Sequence, residues 1–448
     1  MHLWWQLPVS ARLRSASVCV CSKRFGINMT SMQKNTTDAR RVAVIGAGAA
    51  GMMAAITAAE AGATVTLFEK NDRVGKKLRI TGKGRCNVTN NCDNNEFLAN
   101  VPTNPRFLYA SLARFSTADT MSFFEDAGVP LKTERGKRVF PVSDRAADIV
   151  SAMERRCREA GVQIVHRRVR GLQIAEGKIC GLVYDQTEEA FDAVIICTGG
   201  RSYSMTGSDG DGHRFATMLG HTVTPLHPSL VPIVAQGKLC ASLQGLSLKN
   251  VALSIKLTQS GKTVYEDFGE MLFTHYGLTG PMVLSASAHL SDITPGKYEA
   301  YIDLKPALDE KMLDARILSD FSKYQNRDLI NALDDLLPQK MIAPYIGLCG
   351  IDPRKKVNSI TREERERMVH ILKGIRIPLV GFRPLEEAIV TRGGVSVKEI
   401  DPKTMQSKLV EGLYFAGEVL DVDAYTGGFN LQIAFSTATV AGTSAAWG

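Results

Sequence analysis

The sequence lacks most of the features that mark secreted, membrane or metal-binding proteins. Its nine cysteines form an odd, scattered set without a C-x-x-C pair, which excludes a disulfide framework and a thioredoxin-reductase type of redox pair. No His, Cys, Asp or Glu residues have metal-ligand spacing, so we expect no metal. Residues 42–59 lack charge, but three glycines interrupt the run, so we expect neither a transmembrane helix nor a membrane partner. These absences favour a reducing, cytoplasmic location.

Acidic residues are also missing from positions 1–37, where Ser and Arg are frequent. This composition resembles that of a transit peptide, which would direct the protein to an organelle. The alternative is a start codon placed too far upstream, because Met29 and Met32 lie close to the first predicted strand. We expect residues 1–37 to be a basic extension, either disordered or used for targeting. The remaining chain is only mildly basic, which by itself gives little indication of a nucleic-acid partner.

A glycine-rich turn follows the first predicted strand. Gly46, Gly48 and Gly51 form a G-x-G-x-x-G pattern between a buried strand and a helix, the context that dinucleotide binding requires. The first glycine permits the turn, the second lets a pyrophosphate approach the backbone, and the third allows close helix–strand packing. Glu69 ends the next strand, where its carboxylate can accept hydrogen bonds from a ribose and would repel a 2′-phosphate. The pattern predicts FAD or NAD rather than NADP.

Residues 412–432 (GLYFAGEVLDVDAYTGGFNLQ) indicate which dinucleotide binds. A predicted strand ends at Gly417-Glu418, and Gly427-Gly428 leads into the last helix. Acidic groups in this segment can hold ribityl hydroxyls, and the N–H groups at the start of the helix can stabilise a reduced, anionic flavin. Because NAD dehydrogenases need no such closing segment, the cofactor predicted here is FAD, bound non-covalently.

Basic residues alternate with glycine over residues 76–90 (KKLRITGKGRCNVTN). Such a segment can wrap pyrophosphate and flavin, although a charge run is more often a solvated face. A buried strand that ends in Thr-Gly-Gly brings further bare backbone to a ligand. The residues that we expect to contact FAD are Gly46, Gly48, Ala49, Ala50, Gly51, Glu69, Lys70, Lys76, Lys77, Thr81, Gly84, Arg85, Cys86, Asn87, Val169, Thr198, Gly199, Gly200, Gly417, Glu418, Asp421, Gly427, Gly428, Asn430 and Leu431.

The sequence resembles the BaiN-type, aminoacetone-oxidase-like family of NAD(P)/FAD-dependent oxidoreductases. The matching segments span about residues 41–445 and include GAGAAGMMAA, GKGRCNVTN, NPRFLYASLARF, KRVFPVSD, CTGGRSYSMTGSDGDG, GEMLFTHYGLTGP, TRGGVSVKEIDPKTMQSKLV and GLYFAGEVLDVDAYTGGFNLQ. The sequence departs from the family at Ser204, where Pro is usual, and at Lys83, where Gly is frequent. Neither departure removes a reactive group.

The resemblance implies an α/β fold, a two-dinucleotide-binding-domain flavoprotein that is Rossmann-like and of the glutathione-reductase type, with inserted β-barrel-like and small helical domains. It also implies reduction of activated C=C bonds, in bile-acid intermediates or in ribosomal RNA uridine, which becomes dihydrouridine. The expected divisions are the extension (1–37), the first part of the FAD-binding domain (38–204), a strand-rich insertion (205–304), a helical insertion (305–378) and the C-terminal part of the FAD-binding domain (379–448).

Three side chains are candidate proton donors. His275 and Tyr276 lie on a glycine-flanked loop after a predicted strand, and imidazole can donate a proton near neutral pH. The alternative for His275 is a structural role in that loop. Cys86 can protonate a substrate beside the flavin, or can be an inert buried thiol. Arg392, like Arg85, is a candidate for binding an anionic substrate or the flavin.

The sequence allows more than one electron donor and more than one substrate. Only one G-x-G-x-x-G pattern is present, so NAD(P)H would dock transiently near the flavin, or another carrier would supply electrons. The leading hypothesis is a flavin-dependent reductase of an activated C=C bond, with ribosomal RNA uridine as the substrate. A small-molecule ene-reductase or amine oxidase, and a non-catalytic FAD-binding protein, are the alternatives. The basic residues that favour RNA are Lys132, Arg135, Lys137, Arg138, Arg354, Lys355 and Lys356.

Overall fold

The structure, a computed structural model, describes residues 39–290 and 292–448, so the expectation for residues 1–37 lies outside the described residues. The strands are β1 (Arg41–Ile45), β2 (Thr64–Phe68), β3 (Thr89–Asn90), β4 (Leu131–Glu134), β5 (Arg138–Pro141), β6 (Gln163–Val165), β7 (Val169–Ala175), β8 (Lys178–Tyr184), β9 (Thr187–Ala190), β10 (Ala193–Ile196), β11 (His227–Ser229), β12 (Ile233–Ala235), β13 (Ser247–Leu257), β14 (Thr263–Phe273), β15 (Gly277–Thr279), β16 (Tyr298–Asp303), β17 (Ile375–Phe382), β18 (Val390–Arg392) and β19 (Leu413–Phe415).

Helices alternate with many of these strands. They are α1 (Ala49–Glu60), α2 (Lys76–Ile80), α3 (Asn94–Ala99), α4 (Tyr109–Arg114), α5 (Thr117–Asp126), α6 (Ala146–Glu159), α7 (Asp211–Met218), α8 (Leu239–Ser242), α9 (Pro281–His289), α10 (Glu310–Lys323), α11 (Gln339–Cys349), α12 (Arg362–Lys373) and α13 (Phe429–Trp447). No helix among the described residues has the length and apolar character that crossing a bilayer requires.

A parallel sheet organises the first part of the chain and its end. Its strand order is β19-β10-β1-β2-β6, with Val42 opposite Ala193 on one side and Val65 on the other. The apolar run of β1 has no solvent-accessible surface from Val42 to Val44, as expected for a strand covered on both faces. The predicted α/β, Rossmann-like fold is confirmed, and its sheet includes a strand from near the end of the chain.

Helices α1 and α13 cross closely on one face of this sheet. Both consist largely of small residues, which lets the two backbones approach. A Cβ added at Gly442 would lie 2.1 Å from the Thr57 hydroxyl and 2.4 Å from the carbonyl oxygen of Ala54. The last helix is therefore an integral layer of the dinucleotide-binding domain.

The insertion contains a closed barrel with strand order β12-β15-β14-β13-β16-β17, which confirms the predicted barrel-like domain. Helices α10, α11 and α12 lie in the chain between its last two strands. The final barrel strand, β17, falls partly within the range expected to be helical. Helix α7 falls within the range expected for the strand-rich insertion, but its Phe215 packs in the core of the dinucleotide-binding domain. The division into domains otherwise stays a prediction.

The described residues form two large hydrophobic cores and a small one between them. One large core fills the dinucleotide-binding domain, and the other fills the barrel and its helices. The small core contains Leu230, Ala288 and Val390, with Ile389 and Tyr425 packed against it. It joins the barrel to the dinucleotide-binding domain and lies next to the site described below.

Candidate functional site

A cleft with an empty volume of about 1710 Å³, including its open mouth, begins at the glycine-rich turn after β1. Its walls also contain the segments after β2 and β10 and the residues that precede α13. On the side of the small core, the lining is apolar and includes Leu230, Ile389 and Val390. The cleft thus follows the carboxyl ends of the parallel strands, where doubly wound sheets bind their ligands.

The structure brings most of the predicted FAD contacts to this cleft. Those that line it are Gly46, Gly48, Ala49, Ala50, Glu69, Lys70, Lys76, Lys77, Thr81, Asn87, Val169, Thr198, Gly199, Glu418, Gly427, Gly428, Asn430 and Leu431. The predicted contacts that lie outside the lining are Gly51, Gly84, Arg85, Cys86, Gly200, Gly417 and Asp421. Individual contacts with FAD stay predictions.

The glycine-rich turn leaves the first N–H groups of α1 open to a ligand. Gly46 has φ of +100°, and a Cβ there would lie 2.7 Å from the carbonyl oxygen of Cys197. A Cβ at Gly51 would lie 1.7 Å from the carbonyl oxygen of Gly46, whereas one at Gly48 meets no atom within 4 Å. No described side chain caps the start of α1. An uncapped helix N-terminus beside bare backbone fits a pyrophosphate.

The carboxylate of Glu69 is held in place at the end of β2. Its Oε2 accepts a hydrogen bond from the Ala47 N–H at 2.9 Å, and its Oε1 accepts two from Asn71, from the N–H at 2.8 Å and from the side-chain amide at 2.7 Å. A carboxylate can accept about four hydrogen bonds. Glu69 lines the cleft although only 7% of its surface is exposed, so it fits the predicted role of binding a ribose.

A buried carboxylate, Asp211, lies among three cations at the cleft. It pairs with Lys70 at 3.1 Å, with Arg168 at 2.7 Å and with Arg214 at 2.5 Å. Burial opposes its ionisation, but the hydrogen bond from Arg168 and the charge of Lys70 prevail and lower the pKa of Asp211 to about 2. The stability that this group contributes is therefore present above pH 4 and is lost as the pH falls from there towards 2.

We expect Asp211→Asn to destabilise the apoprotein by about 2 kcal/mol at pH 7. The three cations lose their shared anion, and the difference from wild type should shrink as the pH approaches 3. Urea unfolding of both proteins at the two pH values measures this. The matched control is Asp209→Asn, whose carboxylate also pairs with Lys70 and Arg168 but is 36% exposed and should matter less. Equal losses for both variants would contradict the prediction.

Glu418 connects three segments of the cleft wall. Its carboxylate pairs with Lys77 of α2 at 2.7 Å and accepts hydrogen bonds from the Ser202 hydroxyl at 3.0 Å and the Thr391 N–H at 2.9 Å. The segment after β10 and the strand β18 are thereby fixed relative to α2. Glu418 thus orients the cleft wall in addition to its predicted contact with FAD.

Three neighbouring residues of the basic segment, Arg85 to Asn87, have different surroundings. The Arg85 guanidinium pairs with Glu134 at 2.5 Å and with Asp144 at 2.6 Å. These two carboxylates neutralise its positive charge. Cys86 is fully buried, and burial raises the pKa of its thiol to about 12. Asn87 lines the cleft, and its buried Oδ1 has no hydrogen-bond partner. A buried acceptor without a partner at the cleft fits a ligand that supplies a donor.

The residues before α13 form a tight turn at the edge of the cleft. The Asn430 side chain donates a hydrogen bond to the carbonyl oxygen of Ala424 at 2.7 Å and accepts one from its N–H at 2.9 Å. Gly428 has φ of +99°, and a Cβ there would lie 2.3 Å from the carbonyl oxygen of Thr89. The start of α13 is thereby held at the cleft, and its role in closing the FAD site stays a prediction.

The predicted proton donors lie elsewhere. His275 and Tyr276 are in the loop between β14 and β15, outside the cleft lining, and Tyr276 packs against Arg383 at 4.5 Å. Cys86 also lies outside the lining. Arg392 donates hydrogen bonds to the carbonyl oxygens of Ala288 and Leu290. Their roles in catalysis or substrate binding stay predictions.

Several lining residues were not identified from the sequence, among them Asn71, Arg168, Asp211, Tyr425 and Thr426. Tyr425 and Thr426 directly precede Gly427, so the predicted closing motif contained them. Asp211 and Arg168 lie in segments that are distant in sequence, and no local pattern predicts that they form an ion pair. The described residues contain no cluster of His, Cys, Asp and Glu that could hold a metal.

Comparison with known proteins identifies the family. The model described as "HI0933-like protein Rossmann domain" matches residues 40–444. A 3-dehydro-bile acid delta(4,6)-reductase of Clostridium scindens is 30% identical over 421 residues, 91% of this chain and 99% of the relative. A ribosomal RNA dihydrouridine synthase of Escherichia coli is 31% identical over 397 residues, 88% of this chain and 95% of the relative.

Solved flavoenzymes are more distant. A 3-ketosteroid delta1-dehydrogenase from Sterolibacterium denitrificans has a TM-score of 0.49 at 14% identity, covering 91% of this chain and 99% of that one. The bare backbone of Gly48, the uncapped start of α1, the buried carboxylate of Glu69 and the unpartnered oxygen of Asn87 all fit FAD. The chain belongs to the HI0933-like family of flavoproteins and is an FAD-dependent oxidoreductase.

Proposed function

We propose that the protein reduces an activated C=C bond and that its substrate is a uridine of ribosomal RNA. The names of the two relatives describe reduction of C=C bonds, in one case in a bile acid and in the other in ribosomal RNA. FAD, when bound and reduced, supplies the hydride for such a reaction. The protein's own residues must bind the substrate, orient the double bond, exclude water and provide a proton.

The observation that supports an RNA substrate is a basic hairpin beside the cleft. Asn90 donates hydrogen bonds to the carbonyl oxygen of Gly136 at the tip of the β4–β5 hairpin (3.0 Å) and to that of Gly427 in the cleft wall (3.1 Å). Arg135 beside Gly136 is exposed, and among the described residues no acidic side chain forms an ion pair with it or with Arg138 of β5. The two arginines can contact phosphates next to a base that enters the cleft.

The other predicted basic set is less suited to RNA. Lys355 pairs with Glu364 at 2.7 Å, and Lys356 pairs with Asp328 at 2.8 Å. These ion pairs lower the net charge that the helical insertion offers to phosphates. Lys137 of the β4–β5 hairpin is also paired, so we assign the RNA contact to the two hairpin arginines, because hydrogen bonds hold the hairpin beside the cleft wall.

Deleting the gene is expected to abolish a dihydrouridine in ribosomal RNA, and wild-type protein should restore it. Mass spectrometry of digested ribosomal RNA measures the modification. Unchanged dihydrouridine in the deletion strain would overturn the RNA substrate. Reduction of a 3-oxo-delta(4,6) steroid by the purified protein would then support the second candidate, a small-molecule ene-reductase. Anaerobic mixing of the FAD-loaded protein with NADH or NADPH tests the proposal that NAD(P)H is the electron donor, because reduction bleaches the visible absorbance of the flavin.

Charge reversal at the hairpin, Arg135→Glu with Arg138→Glu, is expected to weaken ribosomal RNA binding at least about tenfold and to reduce its salt dependence. The control is Arg362→Glu, because Arg362 is 78% exposed and pairs with Glu366 on α12. Filter binding at several salt concentrations compares the two variants. Equal weakening by both variants would contradict a role for the hairpin.

A further inference from the structure

A pair of rings connects the cleft to the barrel. Tyr425 lines the cleft, and its hydroxyl lies 3.5 Å from Nδ1 of His289. The two rings stack, with centroids 4.8 Å apart and planes 20° apart. His289 is the last residue of α9, which packs on the barrel. A side chain of the closing segment thus meets an imidazole from the other domain at the edge of the cleft.

The surrounding residues hold this pair in place. The Tyr265 ring lies 4.9 Å from the His289 ring, and the Tyr265 hydroxyl donates a hydrogen bond to Asp267 at 2.9 Å. The hydroxyls of Ser285 and Thr426 form a second link between α9 and the closing segment, at 3.2 Å. The pair is therefore packed on its barrel side, while His289 itself retains exposed surface.

We propose that Tyr425 is the catalytic proton donor and that His289 is a positioning residue that returns a proton to it. The inference rests on the proposed reduction of a C=C bond. Hydride adds to the β-carbon of the substrate, the O–H bond of Tyr425 breaks, and a C–H bond forms at the α-carbon. The C=C π bond breaks as the substrate gains two electrons, which bound, reduced FAD would supply as hydride. A solvent proton then adds to Nε2 of the neutral His289 ring, and the Nδ1–H bond breaks as that proton passes to the phenolate, which leaves both side chains neutral.

The chemistry of both groups suits these roles. Burial and the nearby carboxyl of Asp423 raise the pKa of Tyr425, so that it stays a protonated donor at neutral pH. Burial lowers the pKa of His289 against the opposing charge of Asp267, so that the ring is neutral and can pass a proton from one nitrogen to the other. Tyr265 lies outside the cleft lining, so it only packs and donates its hydrogen bond to Asp267.

Tyr425→Phe is expected to slow substrate reduction at least about 100-fold, the lower range for general acid catalysis. Dithionite-reduced, FAD-loaded enzyme is mixed anaerobically in D₂O with ribosomal RNA from cells that lack the protein. Wild type should place one deuterium at uridine C5 in a single configuration, because one side chain delivers it. The variant should give both configurations, since water then delivers the proton. Tyr109→Phe, at a tyrosine 59% exposed, is the control and should behave as wild type.

An NMR measurement without substrate tests the contact between Tyr425 and His289. In the oxidised, FAD-loaded protein, Tyr425→Phe should shift the ¹⁵N resonance of His289 Nδ1, whereas Tyr109→Phe should not. His289→Gln retains a donor to Tyr425 and should slow reduction less than Tyr425→Phe, with one configuration preserved. A Tyr425→Phe enzyme with wild-type rate and a single configuration overturns the inference alone. An unshifted Nδ1 resonance overturns the return of the proton, and wild type that forms no dihydrouridine overturns the proposed function.

Discussion

Gly51→Ala is expected to yield protein without FAD and with greatly reduced stability. The added Cβ would lie 1.7 Å from the carbonyl oxygen of Gly46, so α1 must move away from the turn that positions its first N–H groups. Displacement of packed backbone should cost at least about 3 kcal/mol. The FAD-to-protein absorbance ratio and urea unfolding of the apoprotein measure the two effects.

Gly48→Ala separates the cofactor contact from the fold. Its backbone is extended, and its Cβ would meet no protein atom within 4 Å. The apoprotein should therefore keep wild-type stability, while FAD affinity falls at least about 100-fold because the methyl group occupies the approach of the pyrophosphate. Gly347→Ala, in α11 with no neighbour within 4 Å, should leave FAD affinity unchanged and raise stability by about 0.5 to 1 kcal/mol. Retention of stoichiometric FAD by Gly48→Ala would contradict the predicted pyrophosphate contact.

The second large effect is expected for Gly428→Ala at the start of α13. Gly428 has φ of +99°, and a Cβ there would lie 2.3 Å from the carbonyl oxygen of Thr89. Left-handed backbone and a backbone clash together should cost about 3 to 5 kcal/mol. Moving the closing segment away from β3 should also release FAD. Denaturant unfolding and FAD fluorescence after gel filtration measure these losses.

A control and a spectrum show whether Gly428→Ala disturbs only the closing segment or unfolds the whole protein. Gly347→Ala again provides the control, and far-ultraviolet circular dichroism shows whether the variant retains its helices. We expect Gly428→Ala to keep most of its secondary structure, because α13 also packs along α1. A variant that binds FAD as tightly as wild type would show that the start of α13 is not needed to close the site.

The cofactor end of the site could be predicted because its residues are close in sequence. Gly46, Gly48 and Glu69 belong to one strand–helix–strand unit, whose spacing alone fixes their relative positions. The inserted barrel was also expected, through the family resemblance. The parallel sheet follows from the alternation of strands and helices.

The substrate end could not be predicted in the same way. Tyr425 and His289 come from different domains and meet only after the barrel has closed. No local pattern shows which barrel segment faces the cleft, and the sequence favours the glycine-flanked loop with His275 and Tyr276, whose catalytic role stays a prediction. The ion pairs of Arg85 could not be predicted either. Its partners, Glu134 and Asp144, are distant in sequence, and no local pattern shows that they meet it.

The ion pair between Lys77 and Glu418 joins residues 341 positions apart, because the first and last segments build one cleft. During synthesis, β1, α1 and β2 leave the ribosome long before the wall that covers them. We therefore expect nascent chains to expose the apolar surface of α1 until α13 emerges, and to retain the flavin only after both segments have folded together. The yellow colour of the protein would then report synthesis and folding together.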